Sequence, residues 1–273
     1  MPGVEGVQGV EGVLRRCREE GRAALVGYLP VGFPTVEGSL EAMRVLVEAG
    51  CDVVEVGVPY SDPLMDGPVI QHAATTALAG GARVDDVFRA TAAVRQAGGT
   101  PLVMTYWNLV LRRGIERFAA DLVAGGGAGL ITPDLIPEEA GEWIAASDAH
   151  GLDRVFLVAP SSTPERLSKV TDACRGFVYA ASTMGVTGAR TSVDSDARGL
   201  VERTRAVSDV PVCVGLGVST GAQAAELAGY ADGVIVGSAL VRTLTGPGEL
   251  GDRLESLRAL TSELADGVRS GRG

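Results

Sequence analysis

The sequence predicts a (β/α)8 barrel. Short apolar runs alternate with longer amphipathic ones along the whole chain, and there are eight of the short runs. These runs are rich in Val, Leu and Ile with little polar alternation, as parallel strands covered on both faces are. They recur at roughly 20–45 residues, the spacing of βα units closing into a barrel. An open doubly wound sheet is the alternative, but the turn after its first strand would carry GxGxxG, and this chain reads GYLPVGFPT there.

The candidate strands are Ala24–Leu29, Asp52–Gly57, Pro101–Tyr106, Ala128–Thr132, Arg154–Val158, Phe177–Ala181, Val210–Gly215 and Asp232–Val236. The segment Val36–Ala49 follows Thr35, an N-cap residue, and stops at Gly50. Pro68–Ala79 and Val84–Ala97 fit two helices between the second and third strands, and Gly114–Ala124 ends in three glycines. Pro137–His150 opens with Pro and then Glu138 and Glu139, which suit the positive end of a helix dipole. Thr163–Ala173, Ser195–Val207, Ser219–Gly229 and Leu250–Val268 complete the series. No shift of composition divides residues 14–273, which are expected to form a single barrel domain. Residues 1–13 repeat Val-Glu-Gly-Val units and are expected to be a flexible extension.

Composition narrows the function. The chain has 273 residues, 46% of them hydrophobic, and a formal net charge of −10. A binder of nucleic acid or of an anionic membrane carries the opposite sign. A small anionic substrate stays open, because a few backbone N–H groups outweigh global charge locally. Cys17, Cys51, Cys174 and Cys213 are scattered without CxxC spacing, which argues for buried thiols in a reducing cytosol and against a metal site. No apolar run of about 18 residues occurs, and the N-terminus lacks the basic and apolar blocks of a signal peptide, so a cytoplasmic location is expected.

In barrels of this kind phosphate binds at the loops after strands seven and eight. Here those loops read Val214-Gly215-Leu216-Gly217-Val218-Ser219 and Val236-Gly237-Ser238-Ala239-Leu240-Val241. Glycine admits an anion close to the backbone, and Gly237-Ser238 opens a short extra helix whose N–H groups point at it. Gly185–Asp196 is longer and more polar than the other loops and is expected to be a lid.

Glu55 stands near the C-terminal end of a Val-rich strand, on the catalytic face of a barrel. A buried carboxylate is costly unless it has a partner or a purpose, and burial raises its pKa toward that of a proton donor and acceptor. Asp66 follows eleven positions later on a Pro-rich loop, with Asp62 as a competitor that spacing alone does not exclude. Tyr179, Tyr28 and Tyr106 also fall at or near strand ends. His72 is expected to be structural, and Lys169 lies in a helical segment away from any strand end, which argues against Schiff-base chemistry.

From about Ala23 to Val268 the chain resembles the tryptophan synthase alpha subunit family. The most specific block is EVGVPYSDPLMDGP; TYWNLV, TPDLIPEE, MGVTGAR, VGLGVS and VGSALV support it. The resemblance implies cleavage of indole-3-glycerol phosphate to indole and glyceraldehyde 3-phosphate, with Glu55, Asp66 and Tyr179 as the catalytic residues. By the same resemblance Gly188, Gly215, Gly217, Gly237 and Ser238 hold the phosphate and Thr187 is the lid residue that bonds Asp66. Tyr28, Met104 and Ile131 surround the indole. It also implies an α2β2 assembly with a pyridoxal-dependent beta subunit, docked near Pro59, Asp62, Asn108, Asp134 and Ile136, and no cofactor in this chain. Pro30 and Phe33 replace residues that are polar in enteric members, Leu216 replaces an aromatic, and Thr183 replaces a basic residue.

Overall fold

The computed structural model describes residues 9–62, 65–181, 194–215 and 217–271. Its parallel strands run β1 (Ala24–Pro30), β2 (Val53–Gly57), β3 (Thr100–Met104), β4 (Gly129–Ile131), β5 (Asp153–Val155), β6 (Leu157–Val158), β7 (Val178–Ala181), β8 (Val212–Gly215) and β9 (Gly233–Val236). They form one sheet in the order β5-β4-β3-β2-β1-β9-β8-β7-β6. The two end strands are consecutive in the chain and separated by Phe156 alone. The eight predicted strands therefore close into a barrel whose fifth member is split. Its first half pairs with β4 and its second half with β7, the stagger that a tilted barrel requires. At the split, the Phe156 N–H leaves the ladder and donates to the Cys174 sulfur at 3.4 Å.

The helices are α1 (Val10–Glu19), α2 (Val36–Glu48), α3 (Pro68–Ala79), α4 (Val84–Gln96), α5 (Trp107–Arg113), α6 (Ile115–Ala124), α7 (Gly141–His150), α8 (Pro164–Ala173), α9 (Asp194–Arg205), α10 (Gly221–Ala228), α11 (Ser238–Thr243) and α12 (Leu250–Ser270). Thr35 caps α2 as expected, its hydroxyl accepting from the Gly38 N–H at 3.1 Å. The segment predicted as one helix over Pro137–His150 is a short 3-10 turn, Pro137–Glu139, followed by α7.

The expected extension ends earlier than residue 13. Helix α1 begins at Val10, and Val10, Val13, Leu14 and Cys17 are buried at the i, i+3, i+4, i+7 spacing of one helix face. They join Val26, Val53, Leu102, Val155, Phe177, Cys213 and Ile235 in the barrel's inner core. Val53 opens β2, and Phe177 and Cys213 stand at the start of β7 and β8, so α1 packs at the N-terminal end of the barrel. Its first N–H, on Val10, donates to the Asp153 carboxylate at 2.7 Å. The outer core, between sheet and helices, holds Leu46, Phe118, Leu130 and Trp143.

Candidate active site

The inner core predicts what lines the mouth. Side chains alternate faces along a strand, so a residue two positions past an inner-core residue also points inward. Two past Val26 is Tyr28, past Val53 is Glu55, past Leu102 is Met104, past Phe177 is Tyr179, past Cys213 is Gly215 and past Ile235 is Gly237. Strand register agrees, setting Tyr28 beside Glu55 and Glu55 beside Leu102. One alternation rule brings together residues far apart in sequence.

Glu55 is 1% exposed, and its Oε1 has no hydrogen-bond partner. Burial pushes its carboxyl up to about 8. Asp66 is half-buried on the loop before α3, and burial pushes it to about 6. Its backbone carbonyl accepts from the Gln71 side chain at 2.8 Å. Burial raises the Tyr28 phenol well above its ordinary value, with the charges of Asp66 and Glu55 adding to the effect. Tyr179 is raised by burial first and then by Glu55, Cys213 and Asp66. The charges of both carboxylates are thus felt by both phenols. Asp62 is exposed and bonded to the neighbouring Ser61 hydroxyl at 2.6 Å. Of the two aspartates, Asp66 is the more buried.

The glycines divide by role. A Cβ on Gly215 would collide with the Tyr179 hydroxyl, and one on Gly57 with the Tyr28 hydroxyl. Each phenol lies over the glycine that ends the next strand. Gly217 has φ 67°, a conformation reserved in practice for glycine. Gly237 differs: a Cβ there would meet only Tyr28, at 3.5 Å, which is ordinary contact. Neither packing nor φ (−120°) demands glycine at that position. It stands directly before α11, whose first residue is Ser238.

Other expectations sort themselves by burial. Met104 is half-buried against the inner core, and Ile131, its register partner at the end of β4, is fully buried within it. Pro59 is buried inside the chain and so is not an exposed docking residue; Asp62, Asn108, Asp134 and Ile136 are exposed. Thr187 and Gly188, with most of the expected lid and Leu216, lie outside the described residues. All four cysteines are buried thiols. His72 sits on α3 edge-on to Phe33, with 6.2 Å between ring centres. Lys169 pairs with Glu138 at 3.0 Å on the outer helices. Among the described residues no cluster of metal-ligating side chains occurs, and no helix is long and apolar enough to cross a membrane.

Tyr106, expected only as a strand-end residue near the mouth, is bonded to the Asp66 loop. It is 7% exposed, and its hydroxyl accepts the Met65 N–H, one residue before Asp66, at 3.0 Å. Nothing local signals this pairing, since the two residues are 41 positions apart.

A closed barrel with a buried, unpaired, high-pKa carboxylate at its C-terminal mouth defines an acid–base enzyme of the (β/α)8 class. The model of the family described as "Tryptophan synthase alpha chain" matches residues 14–269. The chain is 65% identical over 253 residues to the tryptophan synthase alpha chain of Mycobacterium marinum, covering 93% of this chain and 92% of that one. It is 64% identical over 254 residues to that of Nocardia farcinica, covering 93% of each. A structure of Mycobacterium tuberculosis tryptophan synthase superposes with a TM-score of 0.90 at 62% identity, covering 95% of this chain and 98% of the other. The chain belongs to the tryptophan synthase alpha chain family, a family of lyases.

Proposed function

We propose that Glu55 is the proton carrier of this family's lyase reaction, the cleavage of indole-3-glycerol phosphate to indole and glyceraldehyde 3-phosphate, and that Asp66 is its electrostatic partner. The observation that carries this is the Glu55 carboxyl: fully buried, unpartnered at Oε1 and shifted to about 8. A group in that state is protonated near neutrality and ready to give its proton up.

The reaction then follows from the two carboxyls. Glu55 donates its proton to indole C3, which removes aromaticity and leaves positive charge at N1. Asp66, the more acidic group, is ionised and stabilises the N1–H by charge and hydrogen bonding. Glu55, now a carboxylate, accepts the proton of the hydroxyl on the adjoining side-chain carbon. That carbon becomes the aldehyde carbonyl, the carbon–carbon bond breaks, and its electron pair restores the indole. Glu55 ends as it began, so one residue serves both transfers and no cofactor is required of this chain. Tyr179 and Tyr28 flank the carboxyl, while Met104 and Ile131 supply apolar surface for the ring. Gly188, Gly217, Gly237 and Ser238 hold the phosphate, Gly237 being glycine for the sake of that close approach. Thr187 bonds Asp66 from the lid.

The chain works in the cytoplasm with a tryptophan synthase beta subunit in an α2β2 assembly, and pyridoxal phosphate belongs to that partner. The exposed residues Asp62, Asn108, Asp134 and Ile136 form the docking face around the mouth, where a neutral indole passes over without being lost to solvent. The test is indole release by the purified chain, with and without beta subunit, alongside Glu55→Gln. The partner is expected to raise the rate, and Glu55→Gln is expected to bind substrate but lose turnover by about 10²–10⁴-fold. Near-normal turnover by Glu55→Gln removes it from the mechanism.

A further inference from the structure

The loop carrying Asp66 is tied to a different βα unit at one point. The Met65 N–H donates to the Tyr106 hydroxyl at 3.0 Å, while the Met65 side chain is 51% exposed. Side-chain burial does not hold Met65; the phenol does. The Gln71 amide holds the Asp66 carbonyl on the far side, so the backbone is pinned just before and just after the Asp66 side chain.

Tyr106 itself is fixed from several directions. The N–H of Thr105 donates to the Ile131 carbonyl at 3.1 Å. The N–H of Trp107 donates to both Asp134 carboxylate oxygens, at 2.9 and 3.1 Å. The Tyr60 ring packs against the Tyr106 ring with 5.1 Å between centres, and the Asn108 amide donates to the Tyr60 hydroxyl at 3.2 Å. A phenol held by backbone on both sides and by a ring on its face has little freedom in where it places its oxygen.

We infer that Tyr106 is a positioning residue for the lyase reaction, its hydroxyl latching the Met65 N–H so that Asp66 stays at the distance where it meets indole N1. This rests on the role of Asp66 proposed above. A carboxylate on an untethered loop samples positions an ångström or more away, and displacement of that size is costly in turnover.

The experiment compares Tyr106→Phe, Asp66→Asn and the double variant in the full chain with beta subunit present. Tyr106→Phe keeps the ring contact with Tyr60 and removes only the acceptor. Its kcat is expected to fall about tenfold with KM changed less than about twofold, and the Met65 amide is expected to exchange faster with solvent deuterium. In the Asp66→Asn background the same substitution is expected to cost little more, because its target is gone. A wild-type kcat for Tyr106→Phe overturns the latch, as does an equal loss in both backgrounds, which marks a merely structural residue. Faster Met65 exchange together with full turnover by Asp66→Asn leaves the hydrogen bond real, refutes the role of Asp66, and with it the functional meaning of the latch.

Discussion

Tyr179 lies across Gly215, the last residue of the neighbouring strand, so closely that a β-carbon on Gly215 would overlap its hydroxyl. On the other side of β9, Tyr28 lies across Gly57 in the same way. Two phenols reach inward over the mouth because two strand ends give up their side chains. Gly215 thus has a duty separate from any anion: it seats a tyrosine beside Glu55.

Gly215→Ala is therefore expected to act through Tyr179. The added methyl displaces the phenol, and kcat falls about tenfold or more by misplacement at the mouth. Affinity for inorganic phosphate is expected to stay within about twofold, because the phosphate contacts proposed at Gly217, Gly237 and Ser238 are untouched. Steady-state kinetics and phosphate competition separate the two effects; lost phosphate affinity with normal kcat reverses the assignment.

The two carboxyls predict the pH profile. In the proposed mechanism Asp66 works as the anion, so turnover is expected to fall as pH drops through about 6. Glu55 must enter the first step protonated, so turnover falls as pH rises through about 8. A bell-shaped kcat/KM profile with its top between those values is expected. In Asp66→Asn the acid limb should vanish while the alkaline limb stays.

The same shift makes Glu55 a burden on stability. Its folded-state value, about 8, lies above the ordinary 4.5. The folded chain holds a proton that the unfolded chain releases, so stability declines from about pH 4.5 upward and the full loss is reached above about pH 8. Glu55→Gln removes this dependence. Relative to wild type it is expected to gain about 4–5 kcal/mol at pH 8.5 and less than about 1 kcal/mol at pH 5, read from urea melts at the two values. An equal difference at both would show that the carboxyl is not shifted.

At the opposite end of the barrel, Asp153→Ala is expected to cost about 1–3 kcal/mol, since it leaves the buried Val10 N–H without its acceptor. Melting temperature should drop by several degrees while kcat at low temperature stays near normal. A large kcat loss with unchanged melting would contradict a purely structural floor.

Most of this architecture was legible from local pattern. Each of the eight predicted strands appears within two residues of its expected bounds, apart from the split at Phe156, because strands covered on both faces are continuous apolar runs. Glu55 stood out because charge inside such a run needs a reason. What sequence reading missed was set by partners distant along the chain. Helix α5 is only seven residues long, and its first N–H is capped by Asp134 from the following βα loop. Helix α1 was hidden because Val10, Val13, Leu14 and Cys17 begin inside a repetitive Gly-rich tract that looks like tail. Pro59 was placed at the docking face by resemblance alone, and the link between Tyr106 and the Asp66 loop depends on one hydrogen bond spanning two loops. Residue identity shows which groups carry chemistry; the barrel's closure decides which of them meet.

That closure depends on a short seam. The circumference is completed where Phe156 joins β5 to β6, a single covalent step between the two ends of the sheet. A protease cut at Phe156 would sever that link and leave the seam held by little more than the bridge in which the Arg175 N–H donates to the Arg154 carbonyl at 2.9 Å. Unpaired edges recruit strands from other molecules, so damage confined to this one peptide bond would favour a protein that polymerises rather than one that merely unravels.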